Sequence, residues 1–534
     1  MRLAVETLGE NLRPRRLLRT LSDVGRRGRS KTRDKSSTTP AVFRLLELPS
    51  EIVEVIIRFS LPMDVLSMRR TCTALNAASC ELRSWVAIAR RTATAHGMPL
   101  SPSTIARMTV QDLERFATAP GRCLRALTTA SASRGRSKKP PKLHSRQATI
   151  FPMAVPMPDC FDFHDILLLP GGRYVLLLAY SGDIALWRVD LDAPAEVATL
   201  PFSAREEPGL LKPFMDSVVS AYQFVKNGTA LRVVTNARAE SRDESWRIYV
   251  YDVHLEAERP QFRLVSSTRE LFHLLQPNSR FYLDDTRLAF ADNNYAFVWD
   301  FIHDRRISWE HMFGNSRDMR MVLTGNRCIL VGKPYDLADP VAVVRASGET
   351  DALDLRAKIS VYEWPSDATG NIGRLWPSLT RCIGENQLLL YPLRPAPDEP
   401  FVFHVRTRQQ DVESTLHSYV LGIDLEATRQ AEAYFAVVPE YGEALADKTT
   451  AVAMVACDAG HVFVDTGERY RREQNMKIHV SYTEDDEKRL SGSAVRLSVN
   501  GVSRRWWRSR CFDPASGKLC AMWDDGSLLV ASFV

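Results

Sequence analysis

Short strand-turn-strand units recur through the C-terminal part of this 534-residue chain, and they constrain its fold more than any other feature. From Thr149 onward, apolar runs of about five to eight residues alternate with turns rich in Gly, Asp, Asn and Pro. Four pairs of runs predict hairpins around residues 181–183, 292–294, 458–460 and 524–526. Asn227-Gly228 indicates another hairpin turn rather than a glycosylation site. Recurrence of one small unit is typical of a repeat fold.

Seven strands could hold equivalent positions in that repeat. They begin near Ile184, Ile248, Phe297, Ile359, Tyr419, Ile478 and Leu528, in steps of 49 to 64 residues. A compact four-stranded propeller blade takes about 40 to 45 residues, so each unit would carry an inserted loop.

A ring of such units is favoured because it leaves few unpaired strand edges. An open sheet exposes unpaired amides, whereas radial repetition leaves only short, protected edges. The segment 148–155 is expected to close the ring by pairing with the terminal run 527–534. A pair of β-sandwich domains is the alternative that the same runs could build.

Helical spacing governs the region from Phe43 to about Thr129. Pro49 suits a first helical position, and Asp64 is expected to cap a second helix. Thr109 and Asp112 form a predicted capping box. Helix ends are predicted at His96-Gly97 and at Pro120-Gly121.

Charge divides the chain unevenly. Residues 1–147 hold 28 basic and 11 acidic side chains, a balance of +17, whereas the remainder holds 42 and 53, a balance of −11. We interpret residues 1–42 as a disordered basic tail, with a nuclear import signal as the functional alternative. Residues 130–147 are predicted to be a basic linker, with a dedicated contact surface as the alternative. Because the positive excess lies outside the β-rich region, nucleic-acid binding by that region is not expected.

Several functional classes find no support in the sequence. No apolar run reaches the roughly 18 residues of a membrane span, and the first 35 residues lack a secretory h-region, so a cytoplasmic or nuclear protein is expected. Nine cysteines without a C-x-x-C pair indicate buried thiols rather than a zinc site, and no cofactor is expected. The nucleophile-elbow, P-loop, dinucleotide and zinc-protease motifs are all absent, so the chain is not expected to be an enzyme.

The stretch from Leu48 to Trp85 resembles an F-box, the adaptor-binding helical motif of cullin-type ubiquitin ligases. The match rests on Leu48-Pro49, Glu51-Ile52, Ile56-Ile57, Pro62, Asp64-Val65-Leu66, Met68-Arg69, Cys72 and Trp85, with no gap. The chain departs from the motif at Ser60, Leu75 and Ser84. The wider plan, helices followed by an extended body, is similar to that of fungal F-box proteins with a propeller-like C-terminal region.

The resemblance implies a partner and the residues that would contact it. The partner is a cullin-linked adaptor protein, and the expected adaptor-binding residues are Leu48, Pro49, Ile52, Ile56, Leu61, Pro62, Leu66, Cys72 and Trp85. A helical module this short also holds more apolar surface than its own core covers, which is typical of an interaction site. The alternative is that this apolar face packs on neighbouring helices or on the β-rich region.

A second candidate surface lies near the C-terminus. The run Arg504, Arg505, Trp506, Trp507, Arg508 combines guanidinium and indole groups, which suit acidic or phosphorylated peptides. The alternative is a strand with buried tryptophans and solvated arginines.

The sequence thus predicts a multidomain chain of α plus all-β class. A helical F-box module at 43–129 is followed by a β-propeller at 148–534, with seven blades favoured over six or eight. The predicted function is recruitment of a protein substrate, of unknown identity, to a ubiquitin ligase. A propeller scaffold without ubiquitin chemistry is the alternative, and a nucleic-acid binder that uses the basic N-terminal region is third.

Overall fold

The structure of the chain is a computed structural model. The described residues are 45–132, 142–151, 163–179, 182–190, 194–201, 219–238, 246–268, 281–291, 295–311, 320–324, 327–332, 357–364, 369–375, 379–384, 389–392, 401–407, 415–422, 434–437, 451–457, 460–465, 476–483, 490–499, 507–523 and 527–534. The predicted basic tail, residues 1–42, lies outside them.

The N-terminal region is helical, as its spacing predicts. After a 3-10 turn at Leu45–Glu47, the helices are α1 (Ser50–Phe59), α2 (Pro62–Arg69), α3 (Thr73–Ser79), α4 (Leu82–His96), α5 (Pro102–Arg107) and α6 (Val110–Ala132). The described residues divide into two compact units: 45–92 with 105–118 form the helical unit, and 93–104 with the described residues from 119 onward form the β-rich unit.

Local signals for the helix starts are partly confirmed. The capping box before α6 is present, because the Asp112 amide donates to Thr109 Oγ1 (3.2 Å) and the Thr109 amide donates to Asp112 Oδ2 (3.0 Å). Pro49 lies one residue before α1, at the N-cap position, rather than inside the helix. Asp64 does not cap α2, because Pro62 takes the first helical position and places Asp64 within the first turn.

The helix ends differ in their outcome. Helix α4 ends at His96 as predicted, and Gly97 adopts a positive φ of 62° that suits glycine. The Met98 amide donates to Ala93 O at 2.8 Å and closes the end of the helix. The predicted stop at Pro120-Gly121 is wrong, because α6 continues through Pro120. Proline lacks an amide donor and its ring crowds the carbonyl of the preceding turn, which disfavours a helix interior. Here Cys123 and Leu127 beyond it are fully buried, and that burial favours continuation of the helix.

The helical unit has a core of its own. It buries large side chains from α1, α2, α3, α4 and α6, namely Val53, Ile57, Val65, Leu75, Trp85, Ile88 and Leu113. Helix α3 contacts both α1 and α2.

The β-rich unit holds seven sheets among the described strands. Sheet 1 contains β3 (Phe163–Leu168), β4 (Tyr174–Ala179), β5 (Ile184–Arg188) and β6 (Ala195–Leu200); sheet 2 contains β7 (Val219–Val225), β8 (Ala230–Arg238), β9 (Trp246–His254) and β10 (Phe262–Ser267). Sheet 3 contains β11 (Tyr282–Leu283), β12 (Arg287–Ala291), β13 (Tyr295–Asp300), β14 (Arg305–Glu310) and β18 (Gly370–Arg374); sheet 4 contains β15 (Arg320–Thr324), β16 (Arg327–Gly332), β17 (Ala357–Glu363) and β19 (Leu379–Gly384).

The remaining three sheets follow the same plan. Sheet 5 contains β20 (Leu389–Pro392), β21 (Phe401–Thr407), β22 (Thr415–Gly422) and β23 (Tyr434–Val437). Sheet 6 contains β24 (Ala451–Cys457), β25 (Gly460–Asp465), β26 (Met476–Thr483), β27 (Leu490–Ser498) and β1 (Lys142–His144); sheet 7 contains β28 (Trp507–Asp513), β29 (Lys518–Trp523), β30 (Leu528–Ser532) and β2 (Gln147–Phe151).

The predicted hairpins, and the predicted equivalence of seven strands, are both confirmed. All four predicted hairpins are present as β4–β5, β12–β13, β24–β25 and β29–β30, and the Asn227-Gly228 turn joins β7 to β8. Each of the seven strands proposed as equivalent is the third strand of its own sheet: β5, β9, β13, β17, β22, β26 and β30.

The N-terminal strands complete the last two sheets. Strand β2 pairs antiparallel with β30, from Gln147 opposite Ser532 to Phe151 opposite Leu528, which confirms the predicted closing strand. Strand β1 pairs in parallel with β27, so part of the segment predicted as a linker is a strand. Backbone pairing explains this difference, because it requires no apolar side chains.

Apolar clusters join successive sheets. Shared buried clusters connect sheet 1 with sheet 2, sheet 2 with sheet 3, sheet 3 with sheet 4, and sheet 6 with sheet 7. A further cluster connects sheet 7 back to sheet 1. Packing of the last sheet on the first is typical of a propeller-like ring of small sheets, and it is not expected of two separate sandwiches.

Candidate docking surface on the first helix

Helix α1 carries apolar side chains on two faces. Val53 and Ile57 point into the helical unit and are 8% and 1% exposed. Ile52, Val55 and Phe59 remain 46%, 38% and 58% exposed. Positions separated by three and four residues share one side of a helix. These three residues therefore form a continuous apolar stripe, called here the α1 stripe.

The end of α1 is fixed by Arg91 of α4. Its guanidinium donates to Arg58 O at 2.7 Å and also to Ser60 O, and the Ser60 hydroxyl donates to Ile56 O at 2.7 Å. A positive charge beside the last carbonyls of a helix also complements its dipole. The α1 stripe is thus presented on a helix whose end is anchored from within the same unit.

Within the helical unit, Arg69 and Trp85 converge on Ser79. The Trp85 indole N–H donates to Ser79 O at 2.7 Å, and Arg69 donates to Ser79 Oγ and to Ser79 O, both at 3.1 Å. Arg69 also donates to Glu114 Oε2 at 2.7 Å, and its guanidinium lies 5.7 Å from the Trp85 ring centre. This network links α2, α3, α4 and α6.

Two of the predicted adaptor-binding residues are core residues instead. Trp85 is completely buried, and Pro62 is buried at the start of α2. Burial of a large aromatic ring stabilises a small unit more than exposure of that ring would. The Trp85 indole N–H also has an acceptor within the unit. Both residues belong to the core of the helical unit and do not form its exposed surface.

The other predicted residues lie at or near the surface. Ile52 and Pro49 are exposed, and Leu48, Ile56, Leu61, Leu66 and Cys72 are half-buried. Cys72 has a local role at the start of α3, where its Sγ accepts from the Leu75 amide at 3.5 Å. The structure therefore places Ile52 in the α1 stripe, and it places half-buried Ile56 next to Val55 in the helix. Trp85 is completely buried in the helical unit.

The prediction missed Val55 and Phe59, which are the remaining members of the α1 stripe. The helical period places them on the same face as Ile52, because they follow it by three and seven positions, but it does not tell whether that face is buried. The F-box motif includes Ile56 and Ile57 instead, and Ile57 is buried.

The border of the α1 stripe is polar. Glu54 and Arg58 form an ion pair one helical turn apart, and Ser50 and Glu51 are exposed at the start of the helix. An apolar centre with a polar rim is the usual composition of a protein-binding surface.

The second predicted surface, Arg504 to Arg508, cannot be assembled from the described residues. Arg504, Arg505 and Trp506 lie outside them, and Trp507 and Arg508 begin β28. Its proposed role stays a prediction.

The described residues contain no group of three His, Cys, Asp or Glu side chains arranged to hold a metal ion. None of the helices in the described ranges is both long and apolar enough to cross a membrane.

Comparison with known proteins gives structural likenesses only. No protein-family model matches the chain, and no curated protein sequence matches it. Among solved structures, it is similar at 10% identity to U3-55K (74% of this chain, 100% of that chain, TM-score 0.37) and to the WD40 repeats of RRP9 (74% and 99%, TM-score 0.37). Drosophila Plexin A, in a complex with Semaphorin 1b, matches at 10% identity (74% and 88%, TM-score 0.39). At these values the strand order described above, rather than any likeness, defines the β-rich unit.

Proposed function

We propose that this protein recruits a substrate to a cullin-type ubiquitin ligase, with the helical unit docking on the adaptor and the β-rich unit binding the substrate protein. The single observation that supports docking most is the α1 stripe, which leaves three large apolar side chains in water on a helix whose other face is already packed. Exposed apolar patches of this kind mark interaction sites. The stripe lies within the segment that resembles an F-box.

The β-rich unit suits the second half of this role. We propose that its seven sheets are seven blades of a propeller and that the region 148–534 holds the substrate. Catalysis would then consist of positioning, which raises the effective concentration of the substrate near the transferring enzyme. No reactive side chain of this chain is required, and the expected location is the cytoplasm or the nucleus.

The docking proposal is tested with purified full chain and purified cullin-linked adaptor. Combining Ile52→Ala with Phe59→Ala removes the two most exposed side chains of the α1 stripe, and it should cost about 2 kcal/mol or more, a roughly 30-fold loss of affinity. Titration calorimetry gives the dissociation constant directly.

A matched control is available within the same chain. Ile302 is 49% exposed at the turn after β13, close to the 46% of Ile52, so Ile302→Ala removes an equally exposed isoleucine elsewhere. We expect Ile302→Ala to bind the adaptor as the wild type does. Equal affinity of the wild type and the double variant would show that the α1 stripe is not the docking surface.

A scaffold without ubiquitin chemistry is the second candidate. The packing of sheet 7 on sheet 1 favours it as much as it favours substrate recruitment. The two functions are separated by the adaptor: a scaffold captures protein partners but shows no binding to the cullin-linked adaptor in the titration above.

A further inference from the structure

Two cysteines lie directly opposite each other where sheet 7 meets sheet 1. Cys511 of β28 is the register partner of Cys520 of β29. The Cys511 Sγ lies 3.8 Å from the Cys520 carbonyl oxygen. Both residues are thiols in this structure.

The two thiols share one face of the sheet. Cys520 is completely buried in the cluster that joins sheets 7 and 1, and Cys511 packs against that same cluster. Cα atoms directly opposite on antiparallel strands are about 4.5 to 5.5 Å apart. A disulfide accepts Cα separations of about 4.4 to 6.8 Å, so this pair needs no rearrangement of the backbone to become one.

We propose that Cys511 and Cys520 form a thiol-oxidation site, in which a peroxide converts the pair into a cross-strand disulfide that weakens the contact between sheet 7 and sheet 1. The proposal is independent of the docking function. In the first step, Cys511 Sγ attacks one peroxide oxygen, the O–O bond breaks, and the products are a sulfenic acid and water. In the second step, Cys520 Sγ attacks the Cys511 sulfur, an S–S bond forms, and the sulfenic oxygen leaves as a second water. The pair loses two electrons and two protons, and hydrogen peroxide is reduced to two waters.

The order of the two steps follows from burial. Cys511 is half-buried, whereas Cys520 is completely buried. Burial raises the pKa of the Cys520 thiol to about 12, which leaves almost none of the reactive thiolate free to meet a peroxide. Cys511 is therefore the residue that peroxide reaches first, and Cys520 is the resolving thiol.

The location gives the modification a structural consequence. Three hydrogen bonds tie sheet 7 to sheet 1 here: the Leu168 amide donates to Cys511 Sγ (3.1 Å), the Gly171 amide donates to Asp513 Oδ2 (2.8 Å), and Lys518 Nζ donates to Gly172 O (3.0 Å). Rotation of Cys511 Sγ toward Cys520 removes the first of them. The other two remain, so the contact is loosened and not lost.

A third cysteine serves as an internal control. Cys328 is also completely buried in a strand, but its register partners are Leu323 and Tyr362, so no thiol lies opposite it. Peroxide is expected to leave Cys328 reduced.

Tryptic mass spectrometry resolves the proposed bond, because cleavage at Arg510 and Lys518 puts the two cysteines on separate peptides, 511–518 and 519–534. Full chain is treated with hydrogen peroxide, blocked with N-ethylmaleimide under denaturing conditions and digested without reductant. We expect peptides 511–518 and 519–534 to be joined, at about tenfold higher yield than any other cysteine pairing, and to separate after dithiothreitol. Alkylation of both cysteines in the treated sample, at the untreated level, would overturn the proposal.

Two variants and one exchange measurement complete the test. In Cys520→Ser, Cys511 should accumulate as a sulfenic acid that dimedone captures; in Cys511→Ser, Cys520 should stay reduced.

In the oxidised wild type, hydrogen exchange at the Leu168 amide should be about tenfold faster than in the reduced protein. Unchanged exchange at Leu168 in a sample shown to be oxidised would overturn the proposed weakening of the contact.

Discussion

Helix α1 and strand β4 each contain six apolar residues, yet these residues are buried to different extents. All six residues of β4, Tyr174–Ala179, are buried, whereas the α1 stripe leaves three large side chains in water. Strand β4 is an inner strand of sheet 1, and apolar clusters cover it on both faces, one shared with sheet 2 and one with sheet 7. Helix α1 buries only Val53 and Ile57 against its own unit. The apolar residues of strand β4 therefore stabilise the fold by burial, whereas three of those in helix α1 remain available to contact a partner.

The largest expected effect concerns the core of the helical unit. Trp85→Ala removes a fully buried ring and its hydrogen bond to Ser79, and it should cost roughly 3 to 5 kcal/mol. Hydrogen exchange should then show lost protection in residues 50–92, while β4 keeps its protection because its clusters lie in the sheets. Phe59→Ala is the contrasting variant, since Phe59 is 58% exposed and should leave protection unchanged. Equal loss of protection in the two variants would erase the distinction between core and α1 stripe.

The β-rich unit offers a comparison between two glycines. Gly228 and Gly370 have similar positive φ values, 81° and 79°, but an added Cβ at Gly228 would lie 2.5 Å from the Leu100 amide nitrogen and would meet nothing within 4 Å at Gly370. Gly228→Ala should therefore lower stability by roughly 2 kcal/mol more than Gly370→Ala, measured as the shift in the thermal unfolding midpoint. Similar shifts for both variants would show that the Pro99–Leu100 backbone does not pack on the β7–β8 turn.

The helix cap gives a smaller effect. Thr109→Ala removes the hydroxyl that accepts from the Asp112 amide and should cost about 1 kcal/mol, confined to the helical unit. Thr109→Ser keeps the hydroxyl and is the control. Denaturant unfolding followed by exchange in residues 110–118 separates the two variants, and identical behaviour would mean that the cap contributes nothing.

The smallest effect at neutral pH, which grows on acidification, involves His96. Burial lowers the pKa of His96 from 6.5 to about 4. The unfolded chain therefore binds more protons below pH 6.5, and stability falls as the pH drops from about 7 toward 4 and then levels off. Wild type should lose more of its unfolding midpoint between pH 7 and pH 5 than His96→Gln does. Parallel curves for the two proteins would indicate that His96 is protonated freely in the folded state.

The sheets were more predictable than the docking surface, for a physical reason. A hairpin depends on residues that are close in sequence. Turns such as Asn227-Gly228, and the equivalence of the seven third strands, could therefore be predicted from the apolar period and the turn residues alone. Burial of Trp85 and exposure of Phe59 depend on which helix faces pack together, and the sequence pattern carries no such information. Similarly, α6 continues through Pro120 because Cys123 and Leu127 are buried among residues of sheets 6 and 7, far away in sequence.

An alanine scan of α1 with two readouts tests the central claim most directly. Ile52→Ala, Val55→Ala and Phe59→Ala should each weaken adaptor binding while leaving the hydrogen-exchange protection of residues 50–92 intact. Val53→Ala and Ile57→Ala should mainly lower the hydrogen-exchange protection of residues 50–92, because their side chains are buried. Their effect on adaptor binding should be smaller. The contradicting result is that the variants at the exposed positions bind the adaptor as the wild type does, and only the variants at the buried positions bind it more weakly. The α1 stripe would then not be a docking surface, and the proposed function would be contradicted.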